Sequence, residues 1–559
     1  MKRIAIGQSD FKCLIEENSY YIDKSLFIKE VIESAQISLI TRPRRFGKTL
    51  NLSMLNYFFN INEDSKKLFE GLNIQKEEEF KLINQYPVIY LTFKDIKAYT
   101  KEEAFRRIYD EIGDMVSKFY REIIELADDR AKMILESVYL GKNEKDNYSK
   151  ILILLSELLY KKYNKNVVIL IDEYDTPIHY AYTKGYYQEL IEFLRDFLSA
   201  GFKDNKYLFR GVMSGILRVA KESIFSGLNN IGVYTILDDK FSDKFGFSID
   251  ETKKFLKDYN LEDKFEIVMN NYNGYVIGED TILNPWSIIN YIAEKGKYPK
   301  PYWANTSSNE LIKELISKSS LTFRKNLEKL IQNRVVEHIE IDSNIVFSLL
   351  DKNDTYIYSL LFFAGYLKCV KKEIDYFSAQ NIFCDLLPTN REVLITYKKI
   401  IKDWIGESYR NEELEVLLKS LVNLDIETFE EMLGDFIIKT LSYFDVSKNI
   451  EAVYHSFLLG MFVNLNDYEI ISNQESGYGR FDIMILHKND KSKPAIILEL
   501  KKIKDTETKD KALELALKQI EEKKYETIPL KKGYQNIVKM GVVFDGKKVW
   551  VKKEIKNIP

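Results

Sequence analysis

The sequence predicts an α/β protein: a parallel sheet with helices on both faces in the N-terminal part, a mainly helical middle region, and a second α/β unit at the C-terminal end. Three patterns carry this expectation. A short apolar run, Ile37-Ser-Leu-Ile40, leads into the loop Thr41-Arg-Pro-Arg-Arg-Phe-Gly-Lys-Thr49, after which Leu52, Leu55, Phe58 and Phe59 recur at helical spacing. Far downstream, Val167-Val-Ile-Leu-Ile171 runs directly into Asp172-Glu173-Tyr174-Asp175, and an unbroken apolar run suits a parallel strand covered on both faces. Near the end, Phe481-Asp-Ile-Met-Ile-Leu486 and Ala495-Ile-Ile-Leu-Glu-Leu-Lys501 flank the polar stretch Lys488 to Pro494, which is the pattern of a hairpin.

The loop after the first strand matches the phosphate-binding pattern G-x-x-x-x-G-K-[ST] except at its first position, where Arg42 stands. In that pattern backbone N–H groups cradle phosphates, the lysine reaches the β/γ oxygens and the hydroxyl ligates Mg²⁺. Arg44, Arg45, Phe46, Gly47, Lys48 and Thr49 are therefore the candidate nucleotide contacts, with Thr49 also a candidate metal ligand. An acid at the carboxyl end of a buried parallel strand sits where α/β sheets bind ligands. Asp172 is placed to hold Mg²⁺ with Thr49, and Glu173 to polarise the attacking water. A strand ending in a polar turn explains Asp172 and Glu173 taken alone; loop and acidic strand together favour a nucleotide site. Ser214, ending the strand pattern Leu208 to Ser214, and Arg218 beyond it are further candidates to sense the γ-phosphate. A strand-ending serine and a solvated arginine are the equal alternatives.

Composition excludes several classes. At 559 residues the length suggests roughly three or four domains. Hydrophobic residues at 45% and charged residues at 30% describe an ordinary globular chain. Lys+Arg 82 against Asp+Glu 85 leaves any nucleic-acid contact to local patches. The N-terminus, Met1-Lys-Arg-Ile-Ala-Ile-Gly7, lacks the apolar core of a signal peptide, and no apolar run approaches the ~18 residues that span a bilayer, so no membrane partner is expected. The three cysteines, Cys13, Cys369 and Cys384, lie far apart without C-x-x-C or Cys/His pairing, which argues against a zinc site or a disulfide framework and for a reducing cytoplasm.

Strand and helix patterns alternate over residues 1–236, with candidate strands Ser38–Ile40, Val88–Phe93, Val167–Ile171, Leu208–Ser214 and Gly232–Leu237. Residues 237–445 form the mainly helical region, interrupted by Asn273-Gly-Tyr275, Asn284-Pro-Trp-Ser287, Tyr302-Trp303 and Thr306-Ser307, where tryptophan beside proline reads as packing. The run Ser359 to Val370 switches from helical to strand alternation at Gly365, as the second half of a winged-helix unit would. Residues 446–559 hold a second chemistry. If the hairpin folds symmetrically about Asn489, Asp490 and Lys491, Asp482 and Glu499 face each other across strands ~5 Å apart, with Lys501 on the face of Glu499. Two carboxylates that close call for a divalent cation, Mg²⁺ or Mn²⁺, and a neighbouring lysine can orient water for hydrolysis of a phosphodiester. His455 reads as structural, and the lysines between 501 and 532 as a solvated face.

Asp482 with Glu499-x-Lys501 resembles the PD-(D/E)XK nuclease superfamily. That resemblance implies a restriction-endonuclease-like fold, metal binding by Asp482 and Glu499, and assistance to the nucleophilic water by Lys501. Gln519, on the helical pattern Ala512 to Tyr525, resembles the auxiliary glutamine, and Glu451 is a candidate for the acid of the leading helix. With Tyr21-Ile-Asp-Lys24, the arginine-rich loop, Ile171-Asp-Glu-Tyr-Asp175, Phe225-Ser-Gly-Leu-Asn-Asn230 and Asn284-Pro-Trp-Ser287, the whole chain resembles a bacterial family in which an AAA-ATPase-like P-loop domain precedes such a nuclease-like domain. Arg42 is usual in that family. The implied function is an ATP-binding, ATP-hydrolysing protein with a metal-dependent nuclease, DNA being favoured over RNA as partner. The competing reading is a non-cleaving ATP-dependent switch or regulator that binds nucleic acid or a protein partner. Oligomeric state is open.

Overall fold

Five parallel strands form the first sheet: β1 (Ile37–Thr41), β2 (Val88–Thr92), β3 (Val167–Asp172), β4 (Leu208–Gly215) and β5 (Ile231–Tyr234), in the spatial order β2-β3-β4-β1-β5. All five residues of β1 and all six of β3 are buried. Side chains alternate between faces along a strand, so such complete burial requires cover on both faces. The order places β4 between the strand that carries the loop and the strand that ends in acids. In register, Ser214 lies beside Ile40 and Met213 beside Ile171. The expected last strand is shorter than Gly232–Leu237: it ends at Tyr234 because the backbone turns at Thr235, whose N–H and hydroxyl both donate to Asp238 Oδ2 at 2.7 and 2.8 Å.

The computed structural model describes residues 1–142, 144–218, 230–303, 315, 319–345, 347, 350, 353–375, 381–397, 411–441, 450–462, 465, 467–472, 474–503, 507–545 and 548–557. It divides into two units, Met1–Lys318 with Val335–Leu394, and Ser319–Arg334 with Ile395–Pro559. Thr306-Ser307 and Phe225 to Asn229 lie outside the described residues, as does the Glu451 side chain.

Beyond the parallel sheet the first unit continues through helices such as Ile249–Asp258, Pro285–Ala293 and Asp354–Phe363. They are joined to two small antiparallel sheets. One contains β6 (Phe247–Ser248), β7 (Tyr275–Ile277) and β8 (Asp280–Leu283); the other contains β9 (Val336–Ile341), β10 (Leu367–Asp375) and β11 (Asn381–Pro388). The switch at Gly365 is real: the helix ends at Phe363, Gly365 takes a left-handed φ of +86°, and β10 begins at Leu367. The cysteine arithmetic is corrected here. Cys369 and Cys384 form a disulfide with Cα atoms 5.3 Å apart. They are 15 residues apart in sequence, but the β10–β11 hairpin folds them together as diagonal neighbours, Cys369 pairing with Leu386 beside a register shift and Cys384 with Lys372.

The second unit contains a mixed sheet: β12 (Tyr468–Ser472), β15 (Ile483–His487), β16 (Ala495–Lys502), β17 (Asn536–Asp545) and β18 (Lys548–Asn557), in the order β12-β15-β16-β17-β18. A short hairpin, β13 (Glu475–Ser476) and β14 (Gly479–Arg480), precedes β15. β16 and β17 run parallel, joined through the helix Lys509–Glu522, whose Ala516 lies where a Cβ at Gly541 would come within 3.1 Å. The core under this sheet includes Phe481, Met484, Leu486, Ile497, Ile520 and Tyr525. Among the described residues no helix is long and apolar enough to cross a membrane.

Candidate functional site

Arg42 faces inward. It is 0% exposed. Its guanidinium donates to the carbonyls of Thr41, Tyr234 and Thr235 through Nη1 at 2.8, 3.1 and 2.9 Å, and to those of Lys240 and Phe241 through Nη2 at 3.3 and 3.1 Å. Burial pulls its pKa down to about 9, so it remains charged at neutral pH. The missing glycine follows from the backbone. Arg42 N–H donates to the Gly215 carbonyl at 3.1 Å, continuing the parallel ladder one residue past β1, and the left-handed turns fall later, at Arg45 (φ +67°) and Gly47 (φ +84°). Glycine is needed where φ is positive, and Arg42 has no such φ.

The helix Lys48–Phe59 starts from Gly47, presenting its first N–H groups to the loop. Lys48 Nζ donates to the carbonyls of Arg42 and Pro43 at 3.0 and 2.9 Å, and burial lowers its pKa. Thr49 Oγ1 donates to Asp172 Oδ2 at 2.7 Å, and Ser214 Oγ donates to Asp172 Oδ1. Thus Thr49, Asp172 and Ser214 form one contiguous polar chain from three elements. Glu173 takes φ +50°, an uncommon conformation for a residue with a side chain, and strain of this kind clusters at working sites. Burial raises its pKa against the opposing pull of Lys48, and Thr176 Oγ1 donates to its Oε2 at 3.0 Å.

Two groups of residues support this cluster and were missed in the sequence. The first is the rest of the acidic string. Asp175, 1% exposed, accepts the N–H groups of Ile216 and Leu217 at 2.8 and 3.0 Å, and Tyr174 OH donates to the Leu217 carbonyl at 2.6 Å. Together they fix the chain that leaves Ser214. The second group includes the tryptophans, which pack as expected and also hold the loop. Asn284 Nδ2 and Trp303 Nε1 both donate to the Arg44 carbonyl, at 3.3 and 3.2 Å, and the Arg45 guanidinium lies 4.5 Å over the Trp286 ring. Behind them sits Glu392, 2% exposed, accepting from Ser287 Oγ at 2.8 Å and from the Trp303 N–H at 2.6 Å. Burial pushes its carboxyl up to about 7. The strings Asn284-Pro-Trp-Ser287 and Tyr302-Trp303 were the available signal; Glu392 stood in no motif.

A cavity of about 400 Å³ opens over the loop. Arg44 to Asn51, Glu173, Thr176 and His179 line its polar end, and Ile4, Tyr20, Ile22, Phe247, Trp286 and Ile289 its apolar end. Tyr20 stacks on Phe255 at 4.2 Å. Asp172 and Ser214 do not line the cavity but stand behind Thr49. Arg218 is also outside its lining, with Nε buried and without a hydrogen bond among the described residues.

In the second unit the hairpin register pairs Ile483 with Leu498, Met484 with Ile497 and Ile485 with Ile496. Continued by one residue, it sets Asp482 across from Glu499. Glu499 is buried and Asp482 partly buried. Asp482 Oδ2 accepts the Leu500 N–H at 2.8 Å, and His455 Nε2 lies 3.0 Å from the Asp482 carbonyl, so the histidine read as structural touches the site. Burial raises the Asp482 pKa, opposed by the Leu500 N–H, His455 and Lys501. Gln519 joins the rest: its Nε2 donates to Glu499 Oε1, and its Oε1 accepts from Lys501 Nζ at 2.8 Å. Tyr525 OH, 3.3 Å from Gln519 Nε2, donates to the Arg480 carbonyl at 2.8 Å. Two carboxylates side by side offer hard oxygen donors, which suits Mg²⁺ or Mn²⁺ bound through one or two side chains with water and substrate oxygens completing the shell. Among the described residues no group of three His, Cys, Asp or Glu side chains converges.

Comparison with known proteins finds a match at each end of the chain. Residues 5–225 match a family described as predicted AAA-ATPase, and residues 449–554 match the PD-(D/E)XK nuclease superfamily. A protein of Azotobacter chroococcum mcd 1, described as an uncharacterized protein in the vnfD 5′ region, is 25% identical over 372 residues, which is 66% of this chain. The chain spans 64% of the length of that relative.

Two outcomes follow from the loop and its supports. Arg42→Gly restores the motif glycine yet leaves five buried carbonyls without their donor, so thermal unfolding should show a loss of about 3 kcal/mol or more. Glu392, with a pKa near 7 against an ordinary 4.5, contributes stability that is present below pH 4.5 and lost as pH rises through about 7. The melting temperature of Glu392→Gln should therefore gain on the wild type by a few degrees between pH 5 and pH 8.

Proposed function

We propose that this chain, in which an AAA-ATPase-like domain precedes a PD-(D/E)XK nuclease superfamily domain, hydrolyses ATP at its phosphate loop and uses that cycle to control metal-dependent phosphodiester hydrolysis in its C-terminal domain. The observation that carries the nuclease reading is the register that sets Asp482 across from Glu499, with Lys501 and Gln519 hydrogen-bonded beside them. DNA is the favoured substrate over RNA, and the cytoplasm is the inferred setting. Disulfides there are transient, so the Cys369–Cys384 link is inferred to be reversible.

At the loop, Lys48 exchanges the carbonyls of Arg42 and Pro43 for the β/γ-phosphate oxygens, while the N–H groups at the start of its helix cradle the phosphates. The apolar end of the cavity, with Tyr20, Phe247 and Trp286, receives the base. Thr49 and Asp172 are the oxygen donors for Mg²⁺, Glu173 orients the attacking water, and Ser214 couples Asp172 to the end of β4. Arg44 and Arg45 add positive charge at the loop, Trp286 holding the latter in place. Arg218 is retained as a phosphate sensor on its sequence position alone.

At the second centre Asp482 and Glu499 would hold Mg²⁺ or Mn²⁺, which supplies Lewis-acid polarisation of the phosphate and a lowered pKa for bound water. Lys501 orients the nucleophilic water and stabilises the developing anion. Gln519 is the positioning residue, fixing Lys501 and Glu499 relative to each other. The alternative, a non-cleaving ATP-dependent switch that binds nucleic acid or a protein partner, is motivated by Arg42 at the first position of the loop and by the mixed charge around Lys501.

Plasmid nicking with Mg²⁺ or Mn²⁺ separates the two. Glu499→Gln should reduce nicking by about 100-fold or more, since a ligated metal supplies several kcal/mol to the transition state, with ATP turnover retained. Lys48→Ala should abolish ATP turnover. Turnover that Lys48→Ala abolishes, in a wild type that cuts no single strand, duplex or RNA with either ion, would replace the nuclease reading with the switch.

A further inference from the structure

The β13–β14 hairpin is fixed with unusual firmness for so short an element. The Ser476 hydroxyl donates to the Tyr525 carbonyl at 2.7 Å and accepts the Ile528 N–H at 3.2 Å, while the Tyr478 N–H donates to the Lys523 carbonyl at 2.7 Å. Gly477 sits at φ +63° in the two-residue turn, and a Cβ there would collide with the carbonyl oxygens of Lys523 and Lys524. The turn is thus clamped against the end of the helix Lys509–Glu522. Its other strand leads straight into the metal-site candidates: Arg480 is followed by Phe481 and Asp482, and the Arg480 carbonyl accepts from Tyr525 OH, which stands beside Gln519.

What this clamped turn presents is an aromatic ring. Tyr478 is 71% exposed on this turn. The Lys524 ammonium lies 5.2 Å over that ring, Lys523 adjoins it in sequence, and the Arg480 side chain is 64% exposed. The facing acids are weakly engaged: Glu475 is 4.0 Å from Arg480 and 83% exposed, and Glu522 pairs with Lys518 at 3.5 Å. An exposed ring flanked by cations, rigidly joined to a phosphodiester-cleaving centre, has the chemistry of a stacking platform for unpaired bases, whose faces are open to stacking only when they leave a duplex.

We propose that the β13–β14 hairpin holds single-stranded nucleic acid beside the C-terminal centre, Tyr478 stacking on a base and Arg480 and Lys524 meeting the adjoining phosphates. This rests on the nuclease reading above and adds to it the form of the substrate and the residue that selects it. The ring need only be planar and aromatic, so the hydroxyl of Tyr478 is dispensable.

The test is fluorescence anisotropy of the full chain with fluorescein-labelled oligothymidylate and with a labelled duplex, in Ca²⁺ so that both remain intact. Tyr478→Ala should weaken single-strand binding about 5- to 100-fold, Tyr478→Trp should restore it, and duplex binding should change little. Arg480→Gln should lower the slope of log affinity against log salt by about 0.7 on the single strand. All variants alter exposed side chains, so their melting temperatures should match the wild type. Wild-type binding that Tyr478→Ala leaves unchanged, or an equal loss on duplex, overturns the hairpin proposal and leaves the nuclease reading standing. A wild type that binds neither probe also overturns the hairpin proposal, while the nuclease reading stands or falls on the nicking assay.

Discussion

One buried cation organises the nucleotide half of this protein. Arg42 stands where a phosphate loop has its first glycine, yet its guanidinium points away from the loop and collects five backbone carbonyls, three of them beyond the end of β5. Among the described residues no carboxylate is hydrogen-bonded to it; peptide dipoles carry the stabilisation, with Asp238 adding a more distant attraction. A charge taken out of water at this depth is tolerated only with such complete hydrogen bonding. The consequence is mechanical. The start of the loop, the exit of β5 and the turn at Thr235 are one rigid piece, from which the left-handed turns at Arg45 and Gly47 deliver Lys48 and Thr49 to the cavity.

The loop is also held from its other side. Asn284 and Trp303 share the Arg44 carbonyl, Trp286 lies under the Arg45 guanidinium, and Glu392 gathers Ser287 and the Trp303 backbone behind them. Glu392 belongs to the last residues of its unit before the chain passes to Ile395 and the second unit. The nucleotide loop is therefore in hydrogen-bonded continuity with the last residues of its own unit. The second centre uses a different economy: strand register alone aligns two acids, and one glutamine ties the second acid to the lysine.

Much of this was legible in the sequence, for identifiable reasons. A short fully apolar run such as Val167 to Ile171, ending in acids, favours a central strand, and a symmetric fold of the hairpin about Asn489 to Lys491 is the register that aligns Asp482 with Glu499, the one the strands adopt. Arg42 was visible as an anomaly, but its direction was not, because inward and outward arginines look alike in a string. The disulfide was misread because spacing rules count residues along the chain, whereas the β10–β11 fold-back sets the distance between Cys369 and Cys384. Glu392 was invisible: one acid in Thr389-Asn-Arg-Glu392 carries no periodicity, and only burial distinguishes it.

The central claim is that one chain carries two oxygen-rich metal centres, one for a nucleotide and one for a phosphodiester. The most direct measurement is anomalous diffraction from crystals soaked with Mn²⁺ and a non-hydrolysable ATP analogue. The account predicts one peak between Asp482 and Glu499, a second at Thr49 and Asp172 beside the β/γ-phosphates, and Lys48 moved from the carbonyls of Arg42 and Pro43 onto phosphate. A map with no peak at Asp482 and Glu499, or with Lys48 still on those carbonyls while the analogue lies elsewhere, would contradict it.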